Sequence, residues 1–229
     1  MLSRELNQKG YSVIQNWENP DVVEALFNSI IESNGQLTKD VFTYWTSGRL
    51  PSLMLEIFGK NIYDHTCNIK NKNESNFNII PYHQDSAYIL PNSFENKDFL
   101  QITCWLPLVD VSIENGTIEI ADSFENKQIN HNLKNGYMQI DEKLKSTPLI
   151  LKAGTLVLIH HNLIHGSNVN KTDSIRWSLD FRYQNIQIPF QNMKQGFEIY
   201  PDKELTFMEY IQKRARLEST ETHKYSLIR

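Results

Sequence analysis

His83 and Asp85 stand two residues apart in Pro81-Tyr82-His83-Gln84-Asp85-Ser86. On an extended strand, alternate side chains point the same way, so this imidazole and this carboxylate can reach one point in space. They make two thirds of a facial triad of two histidines and one carboxylate. That ligand set suits non-haem iron(II), because it leaves coordination positions open. The tripeptide alone arises easily by chance, and a surface turn with an ion pair would read the same way. A second histidine, His165, stands in His165-Gly166-Ser167, and Arg176 follows eleven residues later. An arginine that points inward needs an anionic partner, since burying an unpaired charge is costly. A surface salt bridge with Asp173 is the plainer alternative for Arg176. His160 and His161 rival His165 as ligands, but they belong to the strand before the turn.

These residues need strands to position them. Candidate strands are 62–70, 77–83, 99–109, 116–121, 148–151, 154–160 and 174–184, rich in Ile, Val, Thr, Phe and Tyr and separated by Gly, Asn and Pro. The strand ending at 160 and the strand opening at Arg176 are expected to lie side by side. Strand parity from Arg176 puts Ser178, Asp180 and Arg182 on one face, and Trp177, Leu179, Phe181 and Tyr183 on the other. A charged face opposite an aromatic face is what a strand lining a polar pocket should show. The segment 123–147 is polar and irregular, a loop over the mouth of a barrel.

Before the strands, residues 20–34 read as an amphipathic helix capped by Asn19 or Asp21, and 49–58 as a second helix ended by Gly59. Tyr11–Ile14 reads as a short strand, and 203–217 as a C-terminal helix. The expected fold class is mainly β with flanking helices (α+β), a double-stranded β-helix of the jelly-roll or cupin-like kind. One domain is expected over 1–229: a helical N-terminal part (1–60), a jelly-roll core (61–185), and a C-terminal helix and tail (186–229).

The ordered set of His83-x-Asp85, Trp105 before Glu114-Asn115-Gly116, His165-Gly166-Ser167 and Arg176 resembles the phytanoyl-CoA dioxygenase-like family of iron(II)/2-oxoglutarate-dependent oxygenases. By motif the similarity covers 62–184. The family pattern carries Pro-Gly-Ser-His after the Glu-Asn-Gly strand; this chain has Ala121-Asp122-Ser123-Phe124, so the loop there differs. The resemblance implies iron(II) held by His83, Asp85 and His165, with 2-oxoglutarate and dioxygen as co-substrates. It implies Arg176 as the partner of the distal carboxylate of 2-oxoglutarate, by two parallel hydrogen bonds, with Ser167 beside it. Trp105, Thr103, Lys70 and Asn68 are further candidates for the co-substrate pocket, and Tyr88, Arg182 and Gln101 for the substrate. Trp105 reads equally as a core residue, Lys70 and Asn68 as part of a solvated edge strand, and Arg182 as the ion-pair partner of Asp180. The implied reaction is hydroxylation of an unactivated C–H bond with release of succinate and carbon dioxide. Related halogenases lack the carboxylate ligand, so Asp85 favours hydroxylation or another oxidation such as desaturation.

Composition sets the outer limits. The 229 residues carry a net charge of −4 and 11% aromatics, which reads as an ordinary globular chain with no basic footprint for nucleic acid. No stretch reads as a signal peptide or a membrane span. Two cysteines, Cys67 and Cys104, build no disulfide framework. The expectation is a cytoplasmic enzyme, monomer or homodimer, acting on a small polar metabolite. A cupin-like metal enzyme that uses no 2-oxoglutarate, such as an isomerase, and a non-catalytic jelly-roll binding protein remain as alternatives.

Overall fold

The computed structural model describes residues 2–59, 62–72, 79–89, 99–140, 144–185, 198–200 and 206–212. The N-terminal part runs α1 (Leu2–Lys9), β1 (Tyr11–Ile14), α2 (Pro20–Glu32), α3 (Lys39–Thr46) and α4 (Arg49–Phe58). Local chemistry sets their ends. Asn19 accepts a hydrogen bond from Val22 N at 2.9 Å with Pro20 in the first helical turn, and Thr38 caps α3 through Val41 N. Gly59 closes α4 in the left-handed conformation at φ +68°, which a side chain would strain. Sequence reading placed α2, α4 and β1; α1 and α3 escaped it.

The strands are β2 (Ile62–Lys72), β3 (Ile80–His83), β4 (Gln101–Pro107), β5 (Ile118–Ala121), β6 (Asn132–Lys134), β7 (Tyr137–Gln139), β8 (Ser146–Pro148), β9 (Leu156–His160), β10 (His165–Ser167), β11 (Arg176–Gln184) and β12 (Glu198–Tyr200), with a short helix, α5 (Ser86–Ile89), after β3. They form a larger sheet, β1-β9-β4-β11-β2-β12, a smaller sheet, β3-β10-β5-β8, and the β6–β7 hairpin. The pairings within both main sheets are antiparallel, and together the two make the expected double-stranded β-helix.

Side-chain alternation divides the apolar residues into two cores. Outward residues of the larger sheet, such as Leu106, Leu158, Leu179, Phe181 and Tyr183, pack under the helices with Leu26, Ile30, Trp45 and Met54. Trp45 is fully buried against Phe181 and Tyr210, and its truncation to alanine would cost about 3–5 kcal/mol. Inward residues, among them Trp105, Val157, Ile159, Ile118 and Ile120, fill the space between the sheets. β9 is buried along its whole length because both its faces are covered.

Three expectations need correction. β9 and β11 are not neighbours: β4 lies between them, because its own apolar outer face needs the same helix cover. The strand placed at 148–151 runs instead over Ser146–Pro148, with Leu151 making only an isolated bridge to Val111. The irregular segment 123–147 contains the β6–β7 hairpin, and Ile140 N bonds Tyr82 O, tying the hairpin to β3. Of the C-terminal helix, 207–212 is helical, and the remainder of 203–217, apart from Thr206, lies outside the described residues. Among the described residues no helix is long and apolar enough to cross a membrane.

Candidate metal centre and co-substrate cradle

His83 ends β3 and His165 begins β10, and the two are register partners across the smaller sheet. Their rings lie 4.5 Å apart between centroids. Gly166 permits this approach: a Cβ there would lie 2.8 Å from the Ile80 carbonyl oxygen. Asp85 lies past the strand end, at the turn into α5, so the pair does not share one extended strand. Gln84 makes the turn. Its amide donates to Asn162 O at 2.7 Å and Lys127 O at 2.8 Å and accepts from Ile129 N, which holds it away from the cavity.

One ligand atom each from His83, Asp85 and His165 lie within 4.8 Å of one another, and all three residues are buried. Each imidazole uses Nδ1 on a backbone carbonyl two residues back, Pro81 O at 2.7 Å for His83 and Leu163 O at 3.0 Å for His165. Nδ1 therefore donates to the carbonyl, and Nε2 is the ring atom left to face a metal. Burial, with His83 alongside, lowers the pKa of His165 to about 4, so its ring is neutral near pH 7. Burial opposes charge on Asp85, yet Arg182 and the two imidazoles hold its pKa well below the ordinary value.

The two oxygens of Asp85 have different surroundings. Thr103 donates to Oδ2 at 2.6 Å. Oδ1 lies 3.7 Å from His83 Nε2 and 2.9 Å from Arg182 Nη2, but it makes no hydrogen bond of good geometry. Oδ1 is thus the oxygen left for a cation. Two imidazole Nε2 atoms and an ionised, under-bonded carboxylate oxygen are a donor set that suits iron(II).

A cavity of ≈370 Å³ opens beside this cluster, within the usual range for small-molecule sites. It runs from His83 and His165 to Arg176, with Trp105 in its wall. The Arg176 guanidinium lies 5.6 Å from the Trp105 ring centroid, and Nη1 donates to Ser178 Oγ at 2.8 Å. Nε of Arg176 has no partner. Directly opposite Arg176 in the β2–β11 register stands Lys72. Lys72 Nζ donates to Ser167 Oγ at 2.8 Å and to the Asn168 carbonyl. The side chains are 4% and 3% exposed, and among the described residues neither has an acidic partner. Burial lowers the pKa of Lys72 to about 7, Arg176 adding to the effect, and burial alone lowers that of Arg176 to about 10. Like charges facing each other across a strand pair are unfavourable, so this end of the cavity is built for an anion.

The cavity also receives Asn68, Lys70, Tyr88 and Ser167. Tyr88 stands edge-on to His83 at 5.3 Å, its hydroxyl fixed by Met138 N at 2.9 Å. Thr103 reaches the site only through Asp85. Gln101 does not line the cavity: it sits one strand alternation too far along β4, and its amide turns to Gln184. Arg182 lines the cavity, but its guanidinium lies against Asp85 and Asp180, which removes it as a free anion site. His160 and His161 stack on each other at 4.3 Å, outside the cavity lining, against Phe124 and Phe99 respectively. Phe124, in the segment where the family pattern differs, thus packs on His160 and Gly10. Lys72 escaped sequence reading, although the alternation Asn68, Lys70, Lys72 on one strand face pointed to it.

Solved structures share this fold at low identity. ThoJ, a non-heme monooxygenase in its apo form, is 14% identical with a TM-score of 0.72, covering 99% of each chain. EctD from S. alaskensis, solved with 2-oxoglutarate and 5-hydroxyectoine, is 16% identical with a TM-score of 0.62, over 79% of this chain and 74% of that one. SnoK, a non-heme alpha ketoglutarate dependent carbocyclase from nogalamycin biosynthesis, is 16% identical with a TM-score of 0.61, over 80% and 82%. No curated protein matches the chain. The family model for phytanoyl-CoA dioxygenase matches residues 5–178, a span that contains His83, Asp85, His165 and Arg176, and the chain belongs to that family, PhyH.

Proposed function

We propose that the chain is an iron(II)- and 2-oxoglutarate-dependent oxygenase that hydroxylates a small polar metabolite. The observation that carries the reading is the pairing of two unlike sites in one cavity. At one end stand two imidazoles and an ionised carboxylate; at the other stand two buried basic side chains with no acidic partner among the described residues. A dicarboxylate that chelates a metal and reaches back to a cation serves both ends at once.

His83 Nε2, His165 Nε2 and Asp85 Oδ1 would hold iron(II). Arg176, Lys72 and Ser167 would hold the distal carboxylate of 2-oxoglutarate, the arginine by its planar fork and the lysine as a point charge. Bound there with dioxygen, iron(II) and 2-oxoglutarate supply an oxidant strong enough for an unactivated C–H bond. The balanced conversion is R–H + 2-oxoglutarate + O2 → R–OH + succinate + CO2. The protein's own tasks are placement and exclusion of water. Thr103 and Arg182 keep Asp85 ionised and aimed, the Trp105 wall shapes the co-substrate side, and Tyr88 and Tyr137 line the same cavity.

The test is anaerobic titration of the full chain with iron(II) and 2-oxoglutarate, followed by succinate release in air. A weak visible charge-transfer band and slow succinate formation are expected. Metal uptake without any band or succinate would exclude 2-oxoglutarate chemistry; no metal uptake at all would leave only a binding protein. ThoJ is described as a monooxygenase and SnoK as a carbocyclase on the same fold, so the product must be identified directly.

A further inference from the structure

Two charged groups on the cavity wall are used by neither the metal cluster nor the co-substrate cradle. Asp180 is 8% exposed and lines the cavity, and its buried Oδ1 accepts no hydrogen bond among the described residues. Among the described residues its cationic neighbour is Arg182 Nε at 3.5 Å, and that guanidinium lies closer to Asp85, at 2.9 Å. A carboxylate can accept about four hydrogen bonds, and leaving a buried one unfilled is unfavourable. Lys70 lines the same cavity, is exposed, and makes no ion pair among the described residues.

The β2–β11 register relates the two. Asp180 faces Asn68 and Ser178 faces Lys70, so Asp180 and Lys70 are diagonal neighbours on the cavity face. Such diagonal pairs stand roughly 7–8 Å apart. They have opposite charges, face one cavity and are not paired. Asp180 also lies opposite Trp105 on β4, one alternation from the Arg182–Thr103 pair that flanks Asp85. This places it on the wall of the cavity that substrate and co-substrate share, between Arg176 and Arg182 along β11.

We propose that the substrate is a small zwitterion, a free amino acid or close relative, with its ammonium group on Asp180 and its carboxylate toward Lys70. The inference rests on the oxygenase reading and adds the substrate class. An ammonium group brings three donors to a carboxylate whose buried Oδ1 accepts no hydrogen bond, and the carboxylate of the same molecule gives Lys70 an anion. A neutral polyol fills only the first need. A simple acid fills only the second and meets repulsion from Asp180. The cavity of ≈370 Å³ must also admit 2-oxoglutarate, so the molecule is small.

The test uses the full chain with iron(II) and 2-oxoglutarate under anaerobic conditions, titrated calorimetrically with proteinogenic amino acids and their common non-proteinogenic relatives. Succinate release in air is read in parallel. The expected result is one amino acid that binds and raises succinate release about tenfold or more, while its deaminated acid and its methyl ester do neither. Asp180→Asn should weaken that binding about tenfold or more, and Lys70→Gln by a smaller factor. Lys70 is exposed, so its variant decides if Asp180→Asn fails to fold, and unchanged affinity there overturns the proposal. A visible band with no amino acid bound, or selective binding of a neutral polyol or a deaminated acid, overturns the substrate class and leaves the oxygenase reading standing. Absence of the band overturns the oxygenase reading, and the inference with it.

Discussion

His83 and His165 face each other across β3 and β10, each with Nδ1 turned back to a carbonyl two residues earlier. The backbone therefore fixes both tautomers before any metal arrives. The ring centroids lie 4.5 Å apart, and one ligand atom from each ring lies within 4.8 Å of one of Asp85. His165→Ala should abolish iron(II) uptake, as measured by anaerobic metal titration. Its melting temperature without metal should fall, because truncation empties a buried site and leaves the Leu163 carbonyl without its donor.

Thr103 is the polar anchor of Asp85. Thr103→Val keeps the shape and removes the donor at 2.6 Å from Oδ2. A buried carboxylate oxygen without its hydrogen bond costs about 1–3 kcal/mol. Metal affinity should fall by roughly 10–100-fold, the usual effect of removing a partner that orients a ligand. Thermal melts without metal and iron titrations measure the two effects separately.

Arg176 presents the opposite case, a residue that serves a ligand at the expense of the free protein. It faces Lys72 with no acidic partner among the described residues, and burial lowers its pKa to about 10. Arg176→Met should leave the metal-free protein as stable as before, or more stable by roughly 1–4 kcal/mol. Affinity for 2-oxoglutarate should fall about 30-fold or more, since truncating one side of a buried charge pair costs at least about 2 kcal/mol. Denaturant unfolding and co-substrate titration of the same variant test both halves.

What the sequence made legible was what period and spacing encode. The alternation along 176–183 separated the charged face from the aromatic one, and the interval from His165 to Arg176 marked the cation end. What it hid depends on partners far away along the chain. β10 has three residues, too few for a periodicity, and exists because β3 and β5 flank it. The role of Thr103 depends on a carboxylate eighteen residues away, and that of Gln84 on carbonyls at 127 and 162. Lys70 and Lys72 have the same residue type and the same parity. Only the register with β11 shows that Lys72 is the one opposite Arg176.

That register gives Lys72 a measurable titration. Its pKa is lowered to about 7 by burial and by Arg176. Near pH 6 the amine is charged in the free protein; at about pH 8 it is mostly neutral. A dianion bound between Lys72 and Arg176 favours the charged form and raises the pKa again. Binding of 2-oxoglutarate at about pH 8 should therefore take up close to one proton, and at about pH 6 almost none, so affinity falls as pH rises through 7. Calorimetry in two buffers of different ionisation enthalpy counts the protons. Lys72→Met should abolish the uptake and flatten the pH dependence. A wild-type uptake of zero at both pH values would place the carboxylate elsewhere in the cavity. The folded protein itself should gain stability from about pH 7 to 10.5, because in that window the unfolded chain holds the proton that buried Lys72 has lost.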